Sequence, residues 1–585
     1  MISEQQIREA RSIIDTYNNV EILEDVYKFK DDYLMKISIT LDESNNAFIP
    51  LVTHWVIIFH EKQIDFYPAK DGGIKVTFQH QSLNCDDEPV APYYQGKLCL
   101  DRTFHVLDNQ SFDYLPKDYI DIFKWYLDRA IEWITKASKN ELVKDNDPFE
   151  IPLTDYTLSG LNCLYKESNL DNWAAFPYTF GYAQLAQKKV GEENYLVLKE
   201  IYDIDYEESR GRVFWGNYIE NANIISKYSV WIKLKNLPLE LPWSFPDKWE
   251  SLIKICQNQE IDLLSTLTKL FIKSNMISAG QILCLTFPIP AKINGPNRTM
   301  SWLFIELPAF NYPSKGFRNS THSKLKYYLS RFKGRIKYCF SENIDNEYLL
   351  SRGKMNSSIA QKNVAIIGLG AIGSLLAENL SRLGFDEIAL YDSDHFTYFN
   401  IARHSLNLDD NGKSKVIAIK DKITKNNPHL IVSWNSKLQP DNIDKLKPTK
   451  IIIDCSANPE VIKLLKTYEF KEDKLFVIAA VGYGATDFIV YFNKGNLFNA
   501  DEYQNRIVPI YKKIIDDLEL TEQDLVMQGV GCYHPVFPAR FDDINIWSSL
   551  LVKAIEQKEQ ETFTSSCIHW KLNKYKIEVV DEWSE

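Results

Sequence analysis

The sequence predicts a multidomain chain of mixed α/β and α+β class. It places an α+β domain first, an α+β spacer second and a Rossmann-like α/β domain last. Three observations carry this. An apolar run at 363–367 leads straight into a GxGxxG turn at 368–373 and then a helical pattern. Near the other end, a helix, several strand-like runs, a long loop and a second helix follow one another. The length of 585 residues suits about three domains. The boundaries expected are 1–152, 153–350 and 351–585.

The stretch 363–415 organises the rest. Residues 363–367 (NVAII) are of strand type, and Gly368, Gly370 and Gly373 form the turn. Residues 374–383 read as a helix, with Leu375, Leu376, Asn379, Leu380 and Leu383 at helical spacing and Gly384 as its stop. A second strand at 387–391 ends on Asp392. In such a unit the helix N-terminus and bare backbone amides accept a phosphate, and the acid suits a ribose hydroxyl.

The glycine pattern alone favours a dinucleotide; the residues beyond Asp392 argue for a different nucleotide. Asn400, Arg403 and Lys415 would gather donors and positive charge beside the phosphates, as phosphoryl or nucleotidyl chemistry requires. Asp454, ending the next apolar strand, is placed to hold a magnesium ion through oxygen. Hydride transfer has no need of that cluster. The order D-x-D, N-x-x-R, G-x-x-K and then Asp resembles the adenylating core of the ThiF/MoeB and ubiquitin-activating superfamily. That resemblance implies ATP-dependent activation of a polypeptide's C-terminal carboxylate, with ATP and Mg2+ required.

Composition sets outer limits. The net charge of −12 gives no basic surface for nucleic acid, and Lys and Arg are dispersed. No apolar stretch approaches a membrane span, and the charged amphipathic start is unlike a signal peptide. Nine cysteines with no CxxC pair point to neither a disulfide framework nor a zinc site. A cytoplasmic chain with reduced thiols is expected.

Taken in order, residues 3–18 predict a helix, and 34–40, 54–59, 64–67 and 74–78 predict strands, with a turn at Asp71, Gly72 and Gly73. A turn-rich loop at 79–95 leads to Cys99 within G-x-L-C-L, and 119–137 predict a helix. This order resembles ubiquitin-conjugating domains, particularly divergent bacterial ones. The resemblance implies that Cys99 carries the modifier as a thioester, since a thiol both accepts and releases an acyl group. Eukaryotic members place His-Pro-Asn before the cysteine. Here His80 and Asn84 are the nearby candidates, farther upstream and without the proline.

Residues 145–152 (DNDPFEIP) read as a joint. In the spacer, strands are expected at 195–204, 213–214, 229–234, 280–287 and 299–307, and helices at 249–257 and 263–274. Arg331, Arg335 and Arg352 are candidates for an arginine lent across a dimer interface, as in related adenylating enzymes. Farther on, strands are expected at 474–480 and 487–492, a helix at 544–557 and a closing strand pair at 564–580.

Cys532 lies between glycines and prolines, which keep the segment 529–540 out of regular structure, with His534 and Arg540 close in sequence. The segment resembles the GC-x-HP loop of bacterial fusions of activating and conjugating domains, implying that Cys532 takes the acyl group from AMP. The whole order resembles the fused ubiquitin-transferase-like enzymes of bacterial CBASS antiphage operons. It implies a homodimer, a cGAS-like nucleotidyltransferase as the polypeptide partner, and a target lysine or other amine. Two other classes stay open: an adenylating enzyme for sulfur transfer in cofactor biosynthesis, and a nicotinamide oxidoreductase.

Overall fold

Hydrophobic patterning resolves into two units in the computed structural model. It describes all residues except 1–3, 62, 87, 101–117, 156–157, 191, 221–222, 275–280, 309–320, 354–358, 360–361, 519–526, 529–533 and 536–537. One unit comprises Met1–Arg212 and Ile224–Asn343; the other comprises Val213–Asn223 and Ile344–Glu585.

In the first unit, helix Glu4–Ile13 precedes a four-stranded antiparallel meander: Val20–Phe29, Asp32–Thr40, Val52–Phe59 and Ile64–Pro68, paired in that order. Helix Tyr119–Lys139 contributes Phe123, Leu127, Ala130 and Ile134, one stripe at helical spacing, to the core that holds Trp55 and Phe66. Asp118 caps its start by accepting the Asp121 N–H at 2.8 Å, and Asn140 ends it in the left-handed region.

Two expectations change here. Residues 74–78 form no strand: Asn84 Nδ2 donates to the carbonyls of Ile74 and Val76, while Ile74 and Phe78 still fill the core. The outer strand is instead Val20–Phe29, whose residues after Val20 are not buried, so no alternation marks it in the sequence. The first helix is also shorter than 3–18, closing in a 3-10 turn at Ile14–Thr16.

The same unit holds an eight-stranded mixed sheet. Its order is Lys337–Tyr338, Asn297–Glu306, Ile282–Pro290, Asn223–Lys233, Phe180–Val190, Glu193–Tyr202, Asn162–Tyr165 and Phe340–Asn343. Helices Trp249–Asn258, Leu263–Ser274 and Thr321–Leu329 contribute to one core with Tyr182, Leu285 and Phe287. A second core clusters Trp173, Trp231 and Trp302. Residues 213–214 are not a strand. They open the short segment counted with the second unit, where Trp215 stacks on His429 and the Gly216 N–H donates to the Pro428 carbonyl at 2.8 Å.

The second unit is built on a sheet in the order Ile431–Asn435, Glu387–Tyr391, Val364–Ile367, Ile451–Asp454, Lys474–Val481, Asp487–Gly495, Ser565–Asn573 and Lys576–Ser584. The first five strands are parallel and the last three antiparallel. Within the parallel part the chain order is 3-2-1-4-5, the doubly wound arrangement. The central strands Glu387–Tyr391, Val364–Ile367 and Ile451–Asp454 are buried on both faces. Ile366, Leu390 and Ile453 pack with helices Ala371–Arg382 and Lys415–Asn426, and Ile367, Tyr391 and Ile452 with helices Pro459–Thr467 and Ala500–Asp517. The chain therefore switches faces between the first and fourth strands, where Ile367 pairs with Asp454. That is the crevice where open α/β sheets bind ligands.

Candidate active site

The glycine turn sits at this switch point, and two of its three glycines, Gly368 and Gly373, meet a steric demand. Gly368 adopts φ 84°, and a Cβ there would stand 2.5 Å from Ser456 Cα. A Cβ at Gly373 would stand 1.9 Å from the Gly368 carbonyl oxygen, whereas nothing lies within 4 Å of one at Gly370. Gly370 is the open side, leaving bare backbone at the N-terminus of helix Ala371–Arg382.

A cleft of about 210 Å³ brings together Gly368, Gly370, Asp392, Asp394 and Lys415, with Lys437, Ser456 and Asn458 completing its wall. Asp392 is engaged by the turn itself: Oδ2 accepts the Leu369 N–H at 2.6 Å and Oδ1 the Asp394 N–H at 2.7 Å. Lys415 is buried, and its ammonium stands 2.9 Å from Asp394 Oδ2. The cleft thus holds two lysines, Lys415 and Lys437, and a pair of carboxylates beside a helix N-terminus.

Asn400 and Arg403 do not line this cleft. Asn400 Oδ1 accepts from the N–H and hydroxyl of Thr397, forming the capping box of the 3-10 helix Tyr398–Arg403. The residue that ties this segment to the turn is His404, which sequence reasoning missed. Its Nδ1 accepts the Leu406 N–H at 3.2 Å, which makes Nε2 the donor to the Leu369 carbonyl at 2.7 Å. Burial pushes its pKa down to about 4, so the ring is neutral. No local pattern marks this histidine, whose partner is 35 residues upstream.

Asp454 is buried beside the cleft. Ser456 donates to its Oδ1 from the backbone at 2.9 Å and from the hydroxyl at 2.6 Å. Burial outweighs those bonds and raises the carboxyl to about 6. Ser456 and Asn458 were also missed. The signal was present: Asn458 before Pro459 is a helix-start signature, and the Asn458 side chain accepts the Glu460 N–H at 3.0 Å.

As a magnesium ligand Asp454 fits in chemistry: it is a hard oxygen donor whose charge, disfavoured by burial, a cation would offset. Among the described residues no group of three or more His, Cys, Asp or Glu side chains is arranged for a metal. Phosphate oxygens and water would have to complete the shell.

In the first unit, Leu98 and Leu100 are buried and Cys99 between them is exposed. Strand-like pairing produces this, since Gln81 bridges Leu98 and the Ser82 N–H donates to the Lys97 carbonyl at 2.9 Å. Alternation then turns the thiol outward. His80 lies beside it at φ 54°, with Nδ1 3.4 Å from Glu150 Oε2. Asn84 points away, spent on Ile74 and Val76, and its Oδ1 is buried with no hydrogen-bond partner among the described residues. Cys532 lies outside the described residues. Arg335 pairs with Asp155 at 2.8 Å, Arg331 lies over the Tyr327 ring, and Arg352 is exposed.

Residues 140–344 match the Cap2 central linker domain, and residues 347–538 match the ThiF family. Over 545 residues the chain is 26% identical to the ATP-dependent ubiquitin transferase-like protein Cap2 of Enterobacter hormaechei subsp. hoffmannii (strain UCI 50), covering 89% of this chain and 88% of that protein. It is 34% identical over 151 residues to ubiquitin-like modifier-activating enzyme 5 of Dictyostelium discoideum, 22% of this chain and 40% of that one. Among solved structures, E. coli MccB with succinimide aligns over 46% of this chain and 73% of its own, at 18% identity and a TM-score of 0.29. No helix among the described residues is long and apolar enough to cross a membrane.

Proposed function

This chain belongs with the Cap2-type ubiquitin transferase-like proteins, and on that premise we propose that it activates a polypeptide's C-terminal carboxylate with ATP and passes the acyl group through two cysteines to an amine. The observation that carries the reading is the switch-point cleft, with open backbone at Gly370, the Asp392 carboxylate and the Lys415 ammonium on one wall.

The bare amides after Gly370 and the N-terminus of Ala371–Arg382 receive the phosphates, Asp392 the ribose, and Lys415 the charge that grows on them. The carboxylate oxygen attacks the α-phosphorus; the bond to the β-phosphate bridging oxygen breaks and pyrophosphate leaves. Asp454 is the residue that would hold Mg2+, which supplies charge neutralisation for the triphosphate. Arg403 and Asn400 act from outside the cleft wall, on the segment His404 anchors to the turn.

The Cys532 thiolate then attacks the acyl carbon of the adenylate and AMP leaves. The Cys99 thiolate attacks that thioester and Cys532 departs as thiolate. Finally a lysine or other amine attacks, loses its proton and displaces Cys99. Residues 1–152 serve as the ubiquitin-conjugating-like domain, 153–350 as the spacer and 351–585 as the adenylating domain, in a cytoplasmic homodimer. The polypeptide assigned is the C-terminus of a cGAS-like nucleotidyltransferase, the role antiphage defence.

The test is non-reducing gel analysis of the full chain with ATP, magnesium and such a nucleotidyltransferase, for wild type, Cys99→Ala, Cys532→Ala and Asp454→Ala. Thiol-sensitive, ATP-dependent adducts absent from Cys532→Ala and Asp454→Ala support the reading, and an adduct surviving in Cys99→Ala without amide product orders the two cysteines. Absence of any adduct together with tighter binding of NAD than ATP overturns it. Full amide formation by Cys99→Ala would leave only the adenylating half.

A further inference from the structure

The parallel strands of the second unit have a second populated end. Opposite the nucleotide cleft, at their N-terminal ends, a cavity of about 540 Å³ is lined by Lys362, Asn363, Lys450, Lys474, Lys494 and Glu559, with Pro448, Asp473 and Leu475. The two cavities are separated by the strands themselves, four residues each at Val364–Ile367 and Ile451–Asp454, a rise of about 13 Å.

Four lysines from separate elements converge there, and their partners do not balance them. Lys362 pairs with Glu559, and Lys450 with Glu472. Lys474 is buried, with its ammonium donating to the Lys447 carbonyl at 2.6 Å and lying 5.4 Å from the Phe470 ring centroid. Lys494 donates to the carbonyls of Glu559, at 3.2 Å, and Glu561, where helix Phe541–Gln560 ends, and lies over the Phe563 ring. Among the described residues neither of these two ammonium groups makes a direct ion pair: dipoles and ring faces hold them, Glu472 and Glu561 act on them only at a distance, and Asp473 is the remaining acid of the wall.

The lysines also act on one another. Burial, and then the Lys450 charge, holds Lys362 and Lys474 below the usual lysine range; burial, and then Lys362, does the same for Lys494. Like charges gathered around a cavity in a chain of net charge −12 are relieved by an anion. Its form follows from the donors: ammonium groups spread around a cavity of this size suit an anion with several charges along its length.

We propose that the cavity between Lys362, Lys450, Lys474 and Lys494 is a binding site for a polyphosphate-type anion, distinct from the nucleotide cleft. It stands independently of the conjugation chemistry, because none of its residues belongs to that cleft or carries a thiol.

Calorimetric titration of the full chain with inorganic tripolyphosphate tests it. Lys415→Ala removes the buried cation of the nucleotide cleft and should leave one class of binding intact. Lys362→Ala with Lys450→Ala, both partly exposed positions, should weaken that class at least about tenfold, the effect of losing a charge-assisted contact. The paired arginine substitutions should retain it. In wild type, saturating tripolyphosphate should also slow acetylation of Lys362 and Lys450 read by peptide mass, a measurement that needs no variant to fold. Binding abolished by Lys415→Ala, or unchanged in the double alanine variant, or acetylation unaffected by the anion, overturns the assignment. ATP–pyrophosphate exchange fails or survives separately, so the two readings fall apart cleanly.

Discussion

The Cys99 backbone N–H donates to the His80 carbonyl at 2.9 Å, with His80 in the left-handed region at φ 54°. The orientation of the exposed thiol therefore depends on a backbone conformation that β-branched residues resist. His80→Gly should preserve Cys99 transfer activity unless the imidazole itself is needed. His80→Val should cost about 1–3 kcal/mol of stability and lower transfer. Thermal unfolding alongside amide formation separates strain from loss of the ring: equal impairment in Gly and Val assigns the role to the imidazole.

Cys99→Ser should change stability by less than about 0.5 kcal/mol, because the side chain is exposed between two buried leucines. If Cys99 is acylated, the serine variant should accumulate an oxygen ester that survives thiol treatment. Mass spectrometry of the peptide containing residue 99 reads this directly, and an unmodified peptide in an otherwise active chain would exclude Cys99 from the transfer.

Gly370 and Gly368 should respond differently to alanine. Gly370→Ala has open space for its methyl and should fold normally while weakening ATP binding, since the methyl occupies the phosphate side of the turn. Gly368→Ala collides with Ser456 backbone at a positive φ and should lower the unfolding midpoint as well. Nucleotide affinity and melting temperature measured together distinguish the two. Equal ATP affinity for wild type and Gly370→Ala would remove the turn from the nucleotide site.

His404 gives the second unit an acid-sensitive contact. Its folded pKa of about 4 lies below the ordinary 6.5, so the unfolded chain takes up the proton first as pH falls. The stability it contributes is complete above about 6.5 and is lost on the way down to 4, at most about 3 kcal/mol. His404→Gln should flatten stability across that window in denaturant titrations. An unchanged slope would mean that the ring is already solvated in the folded state.

Asp454 works in the opposite sense. Its folded value of about 6 stands above the ordinary 3.8, so the unfolded chain releases the proton first and the fold loses stability as pH rises from 3.8 through 6, the loss being complete above that. Asp454→Asn should therefore stabilise the nucleotide-free protein at neutral pH, by up to about 3 kcal/mol, while lowering ATP–pyrophosphate exchange. Melting scans at pH 4 and pH 8 should show a gain several-fold larger at the higher pH. A stabilisation of equal size at both would trace to packing instead of charge.

Local patterns made much of this molecule legible. The run from strand through GxGxxG to helix and acid-ended strand is contiguous, Gly373 answers the Gly368 carbonyl inside it and Asp392 accepts the Leu369 N–H, so the turn and Asp392 were readable from spacing. Helices 249–258, 263–274 and 541–560 carry apolar stripes of period 3.6, as expected. The strand Val20–Phe29 was not readable, because an outer strand with little buried surface has no alternation to show.

What the sequence by itself determined was the set of local units: the phosphate-type turn, the amphipathic helices, and a cysteine flanked by leucines. Tertiary structure alone decided which of these meet. It set the strand order that puts Asp454 opposite Ile367, brought His404 beneath Leu369, and turned Asn84 inward while leaving Cys99 outward beside His80. It also gathered Lys362, Lys450, Lys474 and Lys494 at the far end of the same strands. The reason is physical. Turn and helix chemistry is settled by neighbours a few residues away, whereas burial, charge and pairing depend on partners tens of residues distant, which only the packed sheet brings together.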